Sequence, residues 1–538
     1  MSRESTAVSG ADLVVRRLRD YGVRVVFGYP GGQLTPLYDA LHRHGTIRHV
    51  LARDEQAAGF MADGDARATG RPGVCLAVCG PGVLNAATPL ATAFTDSVPM
   101  LLLSGQVPRA GRGLRSGYYH ENDQLKTCSP CVKWAGRAED VEQIGPSLDR
   151  AFAAMEDGRP GPALLEIPLD VLREETTAAE WPAVPALPVP LAPRSEDIEA
   201  LAALVGLWRR PLLLAGGGII SAGAAPQLRE LAERLGAPVF HTAMGKCALP
   251  SDHSLAAGLP WHRATSDLRD MDDCFSPLFP QADGLLAVGC RFTQLATGNW
   301  TLKLPGQLAQ IDVDRDELGR HYKPALAVHA HARLALDALL AQLPARRRDA
   351  WTPPRERREP WQLPGLDLVT PLRRALPSDG IVVADITRLA YILMAEFPVH
   401  QPRTFLHPAG YVSMGFGIPA ALGARAAFPG RPIVAVVGDG CFMMSGMELA
   451  TAAQERLPIV VVLINDGSLT LIKAIQQRRY QERYIGVDLL NPDFALFARA
   501  FGVRHRAVDT SADFESALRE ALASDATTLI EVRLPGGG

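Results

Sequence analysis

The chain has 538 residues, of which 47% are hydrophobic and 21% charged, and carries a formal net charge of −3. That length suits about three domains of ordinary size, and the composition is that of a globular protein with ample core. The balanced charge argues against nucleic acid or an anionic membrane as the main partner, and no apolar run reaches the ~18–20 residues of a membrane span. Eight cysteines are too few for a disulfide scaffold. Cys128 and Cys131 have no matching pair at zinc spacing, so all eight cysteines read as reduced packing residues. The opening residues lack a signal-peptide core and read as a capped amphipathic helix, which points to a cytoplasmic protein.

Residues 1–180 alternate helix and strand patterns. The run is ADLVVRRLRDYG, VRVVFGYPGG, LTPLYDALHRHG, RHVLARDEQ, a helix to Gly70, GVCLAVCGPG, a helix through Phe94, and PMLLLSG. Strands separated by helices of this length predict a parallel α/β sheet. WPAVPALPVPLAP follows as an extended, proline-rich linker. A second domain, 190–345, has strands at PLLLAGGG, PVFHTA, GLLAVG and LAQIDVD. A basic, proline-rich stretch then leads to a third, 360–538, with strands at GIVVAD, PIVAVVG, PIVVVLIN and TTLIEVRL. The expected fold class is α/β, with three doubly wound parallel-sheet domains.

Residues 431–475 carry the most chemistry. Two continuous apolar runs fit parallel strands buried on both faces. The first breaks at Gly438-Asp439-Gly440 and the second at Asn465-Asp466-Gly467. The segment between them has helical period, with Met444, Met447, Leu449 and Ala450 on its apolar side. A right-handed crossover brings both turns to the C-terminal sheet edge. Asp439, Asn465 and a turn carbonyl such as that of Gly467 then offer hard oxygens to one Mg²⁺, which completes its shell with phosphate and water. The glycines let backbone N–H groups approach a diphosphate. Taken singly, each turn is also what an ordinary βα connection looks like.

GDG, a spacer of this length and then Asn465 resemble the thiamine diphosphate motif. The first Asn of the usual NN pair is Ile464 here, and the metal-ligating second Asn is matched by Asn465. The wider chain resembles the acetolactate synthase and 2-oxoacid decarboxylase/carboligase family. The likeness runs through GYPGGQLTPLYDAL, DEQAAGFMADGDARATG, GPGVLN and DSVPMLLLSGQ in the first domain. It continues through RPLLLAGGGIISAGA in the second and GYVSMGFGIPAALGARAAFPGRP in the third. It implies pyrimidine-binding, central and diphosphate-binding domains. Glu55 then bonds a pyrimidine ring nitrogen of the cofactor, a task that asks for a carboxyl in a poorly solvated place. Without its flanking motifs, Glu55 is also what a solvated acid at a helix N-terminus looks like. The resemblance further assigns Met414 as a wedge between the cofactor rings and the Val412 carbonyl to the pyrimidine amino group. Gly438, Gly440, Cys441 and Ser468 fall beside the diphosphate, and Asn85 holds neighbouring backbone. Because Glu55 and Asp439 lie in different domains, the resemblance implies a site between the subunits of a homodimer or dimer of dimers.

Departures bear on the reaction. Leu295 stands where acetolactate synthases carry an arginine that helps hold the 2-oxoacid and the FAD region, and leucine cannot pair a carboxylate. Residues 258–284 lack the family's glycine- and histidine-containing run. Gly216 to Gly218 suit either a dinucleotide approach, FAD included, or a plain tight turn. In Tyr119-His120-Glu121, His120 takes the place of the Gln that reaches the active site in the family's F-Q-E, and an imidazole there suits proton transfer or is simply a loop histidine. Gln33 faces the reacting carbon if the likeness holds, and residues 468–473 line the substrate pocket. Asp385-Ile386-Thr387-Arg388 replaces D-x-G-Q-H, which makes Thr387 and Arg388 candidate diphosphate contacts. The expected activity is decarboxylation of a 2-oxoacid such as pyruvate followed by acetolactate-synthase-like ligation. Simple decarboxylation comes second. A 2-hydroxyacyl-CoA lyase is disfavoured because LIEVRLPGGG leaves little tail to cover a CoA, and a regulatory protein on a decayed thiamine fold is disfavoured by retention of Glu55, Asp439 and Asn465.

Overall fold

A computed structural model describes residues 7–113, 116–177, 182–261, 275–351, 363 and 365–534. Cys274, most of the basic linker, part of the departing 258–284 segment and the last four residues lie outside that set. Packing groups the chain into two compact units. One comprises Met1–Val189, Tyr411–Gly430 and Met443–Ile459, and the other Pro190–Gly410, Arg431–Phe442 and Val460–Gly538. No helix among the described residues is long and apolar enough to cross a membrane.

Three six-stranded sheets organise these units. In the first, a two-residue strand β1 (Val8–Ser9) precedes β2 (Val25–Gly28), β3 (Arg48–Leu51), β4 (Gly73–Ala77), β5 (Met100–Gln106), β6 (Trp134–Arg137) and β7 (Ala163–Pro168). Their order is β3-β2-β4-β5-β7-β6, all parallel, while β8 (Glu175–Thr176) returns to pair antiparallel with β1. The second sheet holds β9 (Pro211–Ala215), β10 (Val239–His241), β11 (Ala256–Gly258), β12 (Gly284–Val288), β13 (Leu308–Asp312) and β14 (Leu326–His329), ordered β11-β10-β9-β12-β13-β14. The third holds β15 (Ile381–Ala384), β16 (Phe405–Leu406), β17 (Ile433–Gly438), β18 (Val460–Asn465), β19 (Arg504–Val508) and β20 (Thr528–Arg533), ordered β16-β15-β17-β18-β20-β19. The outer two sheets thus share one strand order, and the middle sheet has another.

Central strands read as unbroken apolar runs because helices cover both faces. Every residue of β17 is buried, and so is all of β18 but Asn465. In each outer sheet the chain steps one strand outward and then reverses. The reversal lies between β2 and β4 in the first sheet and between β15 and β17 in the third. Ligands of open α/β sheets bind in the crevice at such a reversal, beyond the strand C-termini. The loops after β15 and β17 supply Asp385 to Arg388 and Gly438 to Gly440, so the third-domain candidates sit at that position.

One local expectation is corrected. The segment after β17 is not one helix. A short helix, Asp439–Ser445, passes through a 3-10 turn, Gly446–Glu448, into a second helix, Leu449–Gln454. Met444 and Met447 are therefore not on a buried face: they are 60% and 56% exposed, while Leu449 is fully buried. Periodicity identifies an apolar stripe but not what covers it. The Gly216 to Gly218 cluster has a packing explanation. A Cβ on Gly216 would lie 1.8 Å from the Gly289 carbonyl oxygen, and one on Gly218 would lie 2.6 Å from the Gly289 Cα. Two βα turns press backbone against backbone there, which accounts for the glycines as a tight turn.

Candidate active site

In the second compact unit, the metal candidates are joined by direct bonds. Asp439 opens the helix after β17, and its Oδ1 accepts from the Gly440 N–H at 2.8 Å. Its Oδ2 accepts from the Gly467 N–H at 2.8 Å and from the Asn491 amide nitrogen at 2.7 Å. The same Asn491 nitrogen donates to Asn465 Oδ1 at 3.0 Å. One donor satisfied by both oxygens means that Asp439 and Asn465 aim lone pairs at a common point. Hard carboxylate and carboxamide oxygens converging in this way suit Mg²⁺. Gly467 has φ +66°, a left-handed conformation that reverses the chain after Asn465. Its carbonyl accepts from the Leu489 N–H at 2.8 Å, which leaves one lone pair for a ligand. No group of three or more His, Cys, Asp or Glu side chains is placed to hold a metal among the described residues.

The anion-binding candidates surround this point unevenly. Thr387 ends the loop after β15 and Arg388 begins the helix Arg388–Glu396. A Cβ on Gly438 would lie in contact with Thr387, 3.4 Å from its Cβ, so the two loops adjoin at this switch point. Cys441 is committed locally, its thiol donating to the Ile386 carbonyl at 3.0 Å. The Ser468 hydroxyl is likewise committed, donating to the Val487 carbonyl at 3.0 Å. Burial raises the Asp466 carboxyl above its usual range, against a hydrogen bond from Thr470. Downstream, the helix Thr470–Arg479 has no buried residue, and Lys473 pairs with Asp488 at 2.8 Å.

Sequence reasoning missed the residues behind Asn465. Glu531, on the adjoining strand β20, is 4% exposed. Its Oε1 accepts from Asn465 Nδ2 at 2.8 Å, and its Oε2 lies 2.9 Å from His505 Nε2 and 3.4 Å from Arg533 Nη2. Burial pushes this carboxyl up, but the bonds from Asn465, Arg533 and His505 outweigh it and hold the carboxyl below its usual range. A carboxylate inside the apolar run TLIEVRL was the available signal. Asn491, in the loop before the helix Phe494–Ala500, stands in no such run.

The first compact unit gathers a second group. Asp54 caps the helix Glu55–Thr69, accepting from the Gln56 N–H at 2.8 Å, and is itself exposed. Glu55 is half-buried, and its Oε2 accepts from Asn85 Nδ2 at 3.1 Å. The Asn85 side chain thus meets Glu55. A Cβ on Gly82 would lie 3.0 Å from Glu55 Oε1, so the GPG turn leaves that carboxylate its space. Burial first, and the nearby Glu55 charge second, raises the Cys75 thiol. Gln33 packs against Gly105, where a Cβ would come within 3.0 Å of it, and its amide reaches the Tyr119 carbonyl at 3.4 Å. His120 adopts a left-handed φ of +68°, stacks on the Tyr119 ring at 3.7 Å, and keeps a buried Nδ1 with no hydrogen-bond partner. Buried Gln124 ties this edge together, accepting from the Gly80 N–H at 3.1 Å and donating to the Gly105 carbonyl at 3.0 Å. Met414 is half-buried and Val412 is 44% exposed.

Leu295 is half-buried in the second unit and packs against the core cluster that includes Trp261, Leu363 and Leu389. It fills apolar space and cannot act as a carboxylate partner. The seven described cysteines are all free thiols. Burial raises those of Cys79 and Cys290 to about 12 and that of Cys128 to about 11, which leaves them protonated and unreactive near neutral pH.

Three family models match in chain order. "Thiamine pyrophosphate enzyme, N-terminal TPP binding domain" covers residues 8–127, the central domain 198–339, and the C-terminal TPP binding domain 385–532. The chain is 39% identical over 552 residues to "Probable 2-ketoarginine decarboxylase" of Pseudomonas aeruginosa, spanning 99% of this chain and 95% of that protein. It is 34% identical over 541 residues to the acetolactate synthase isozyme 3 large subunit of Escherichia coli, spanning 96% and 92%. Among solved structures, the thiamine diphosphate-dependent 4-hydroxybenzoylformate decarboxylase of Rhodococcus jostii superposes with a TM-score of 0.85 at 26% identity, covering 98% of this chain and all of that one.

Proposed function

Since the chain belongs to the thiamine pyrophosphate enzyme family, we propose that it decarboxylates a 2-oxoacid and joins the acyl fragment to a second carbonyl, with thiamine diphosphate held by Mg²⁺. The observation that carries this reading is the convergence of Asp439 Oδ2 and Asn465 Oδ1 on one donor, at 2.7 and 3.0 Å. When bound, the cofactor supplies a carbon nucleophile for the keto group and an electron sink for loss of CO₂. The chain's own residues do the rest. Asp439, Asn465 and the Gly467 carbonyl would hold the metal, and Gly438, Gly440, Thr387 and Arg388 would border the diphosphate. Glu55 would share a proton with a pyrimidine ring nitrogen, oriented by Asn85. The Val412 carbonyl would accept from the pyrimidine amino group, and Met414 would press between the rings. His120, with its unpartnered Nδ1, would move a proton at the substrate, and Gln33 would orient it.

The proposal divides the chain into a pyrimidine-binding domain at 1–180, a central domain at 190–345 and a diphosphate-binding domain at 360–538. It places the enzyme in the cytoplasm, in keeping with its free thiols. It also makes the chain a homodimer or dimer of dimers with sites between subunits. Exposed Leu84, Tyr411, Val412, Met443, Met444 and Met447 support a protein partner for the first unit. FAD is not needed for this chemistry.

A second reading, decarboxylation ending in protonation to an aldehyde, is favoured by Leu295. A half-buried apolar residue stands where acetolactate synthases place their arginine. The 2-ketoarginine decarboxylase named above points the same way. Incubation with thiamine diphosphate, Mg²⁺ and a panel of 2-oxoacids, including pyruvate and 2-ketoarginine, separates the readings. CO₂ with a ligated hydroxyketone or hydroxyacid supports the first and CO₂ with the free aldehyde the second. Absence of CO₂ across the panel contradicts both.

A further inference from the structure

Asn465 is a carboxamide, and a carboxamide is useful to a cation only if its oxygen, not its nitrogen, faces it. The two ends differ by a proton count that sterics barely sense, so something must decide the orientation. In this chain the deciding group is Glu531. Ringed by Asn465, His505 and Arg533 as donors, it offers only acceptor oxygens, and Asn465 must turn its NH₂ toward Oε1 at 2.8 Å. The Asn465 oxygen is thereby directed to the opposite side, where it accepts from Asn491 at 3.0 Å beside Asp439 Oδ2. The bonds diverge from Asn491, whose nitrogen donates both to Asp439 Oδ2 and to Asn465 Oδ1, while the Asn465 nitrogen donates on to Glu531, so an acceptor carboxylate closes the line at each end. The bond spans neighbouring strands, because β18 and β20 pair in register with Leu463 opposite Glu531 and Asn465 opposite Arg533. Rigid strands hold it better than a loop would.

We propose that Glu531, held by His505, is a positioning residue that turns the Asn465 oxygen toward the metal and so sets Mg²⁺ affinity. The inference rests on the reading of Asp439 and Asn465 as metal ligands. Outer-shell partners of this kind are typically worth ~10–100-fold in metal affinity.

The test is Mg²⁺ titration of the full chain with saturating thiamine diphosphate, read by calorimetry and by the shift in melting temperature. Glu531→Gln keeps the shape but can present either NH₂ or oxygen to Asn465. It is expected to weaken Mg²⁺ binding by ~10-fold or more, and any fall in the cofactor-free melting temperature is measured separately as the loss of the buried carboxylate's own bonds. Asn465→Asp sets two carboxylates against each other and also weakens binding. The double variant Asn465→Asp/Glu531→Gln restores a donor facing an acceptor and directs an oxygen at the metal whichever way the side chain turns. It is expected to recover affinity to within ~3-fold of the parent, the coupling expected of directly bonded residues. A purely structural role for Glu531 gives no such recovery. Glu531→Gln binding Mg²⁺ within twofold of the parent, or a double variant no tighter than Asn465→Asp alone, overturns the inference. If Glu531→Gln fails to fold, the comparison of Asn465→Asp with the double variant decides. Asp439→Asn separates the two levels of the account. Its loss of the Mg²⁺ response leaves the ligand reading standing whatever Glu531 does. A parent chain with no Mg²⁺ response overturns the ligand reading and this inference with it.

Discussion

Gly423→Ala is expected to damage both stability and the geometry around Glu55. Gly423 lies in the helix Gly417–Ala427, which crosses the helix Glu55–Thr69. A Cβ at Gly423 would sit 1.9 Å from the Met61 carbonyl oxygen and 2.7 Å from its carbon. The reciprocal position is equally tight: a Cβ on Gly64 would lie 2.2 Å from the Ala420 oxygen. The obstructing atoms are backbone, so no side-chain rotation relieves the clash, and the helices must part by roughly 1 Å to reach ordinary contact. Overpacking costs ~1–3 kcal/mol even where side chains can yield, and a backbone-to-backbone clash belongs at the upper end. For a unit of this size ~3 kcal/mol corresponds to a fall in melting temperature of about 6–12 °C. The parting also moves Glu55, at the start of one helix, against Met414, just before the other. A misplacement of ~1 Å can cost ~100-fold in rate. Differential scanning calorimetry and initial 2-oxoacid turnover measure the two effects. A variant that melts within about a degree of the parent and turns over at the same rate refutes the claim that these glycines set the helix spacing.

Three further outcomes follow from buried or bonded groups. Asp65 is buried and its carboxyl is pushed up to about 7 by desolvation, opposed by Arg71. A raised folded-state pKa adds stability below the unfolded value that is lost as pH climbs to about 7. Asp65→Asn should therefore gain on the parent between pH 4 and 8, by up to ~4 kcal/mol, and a melting difference that stays flat across that range contradicts this. Arg67 is paired with buried Asp63 and lies 2.9 Å from Asp96. Arg67→Met leaves both acids uncompensated and should cost ~3–5 kcal/mol by chemical denaturation, more than replacing all three residues by apolar ones. Asn85→Leu removes an exposed donor to Glu55 and should lower kcat by ~10-fold with the melting temperature unchanged. An unaltered kcat would reduce the Asn85–Glu55 contact to a surface detail.

The parts of this account legible in the sequence were those written locally. Apolar runs such as IVAVVG and VVVLIN became adjacent parallel strands, and their polar turns met at one edge, because period and turn chemistry are short-range properties. Glu55 opens its helix as expected because Asp54 caps it and HVL ends in a strand. Edge strands were missed: RHRAV, WAGR and LAVH are charged, short or half-exposed, and register against a neighbour makes them strands. The exposed methionines after Asp439 were misread because an apolar stripe is silent about its covering surface. Asn491 and Glu531 escaped for another reason. Each meets the site through a bond to a residue 26 to 66 positions away, and no local pattern encodes such a meeting. Asp439 bonds Gly467 and meets Asn465 through Asn491, and Glu55 meets Asn85, while Ser468 and Cys441 turn their side chains to the backbone.

The most direct test of the account is Glu55→Gln in the presence of thiamine diphosphate and Mg²⁺. The substitution keeps size and hydrogen-bonding reach but removes the titrating oxygen. The account predicts that the Mg²⁺-dependent melting shift, which reports the Asp439 end of the site, persists, while turnover of the best 2-oxoacid falls by ~100-fold or more. Undiminished turnover in that variant would contradict it.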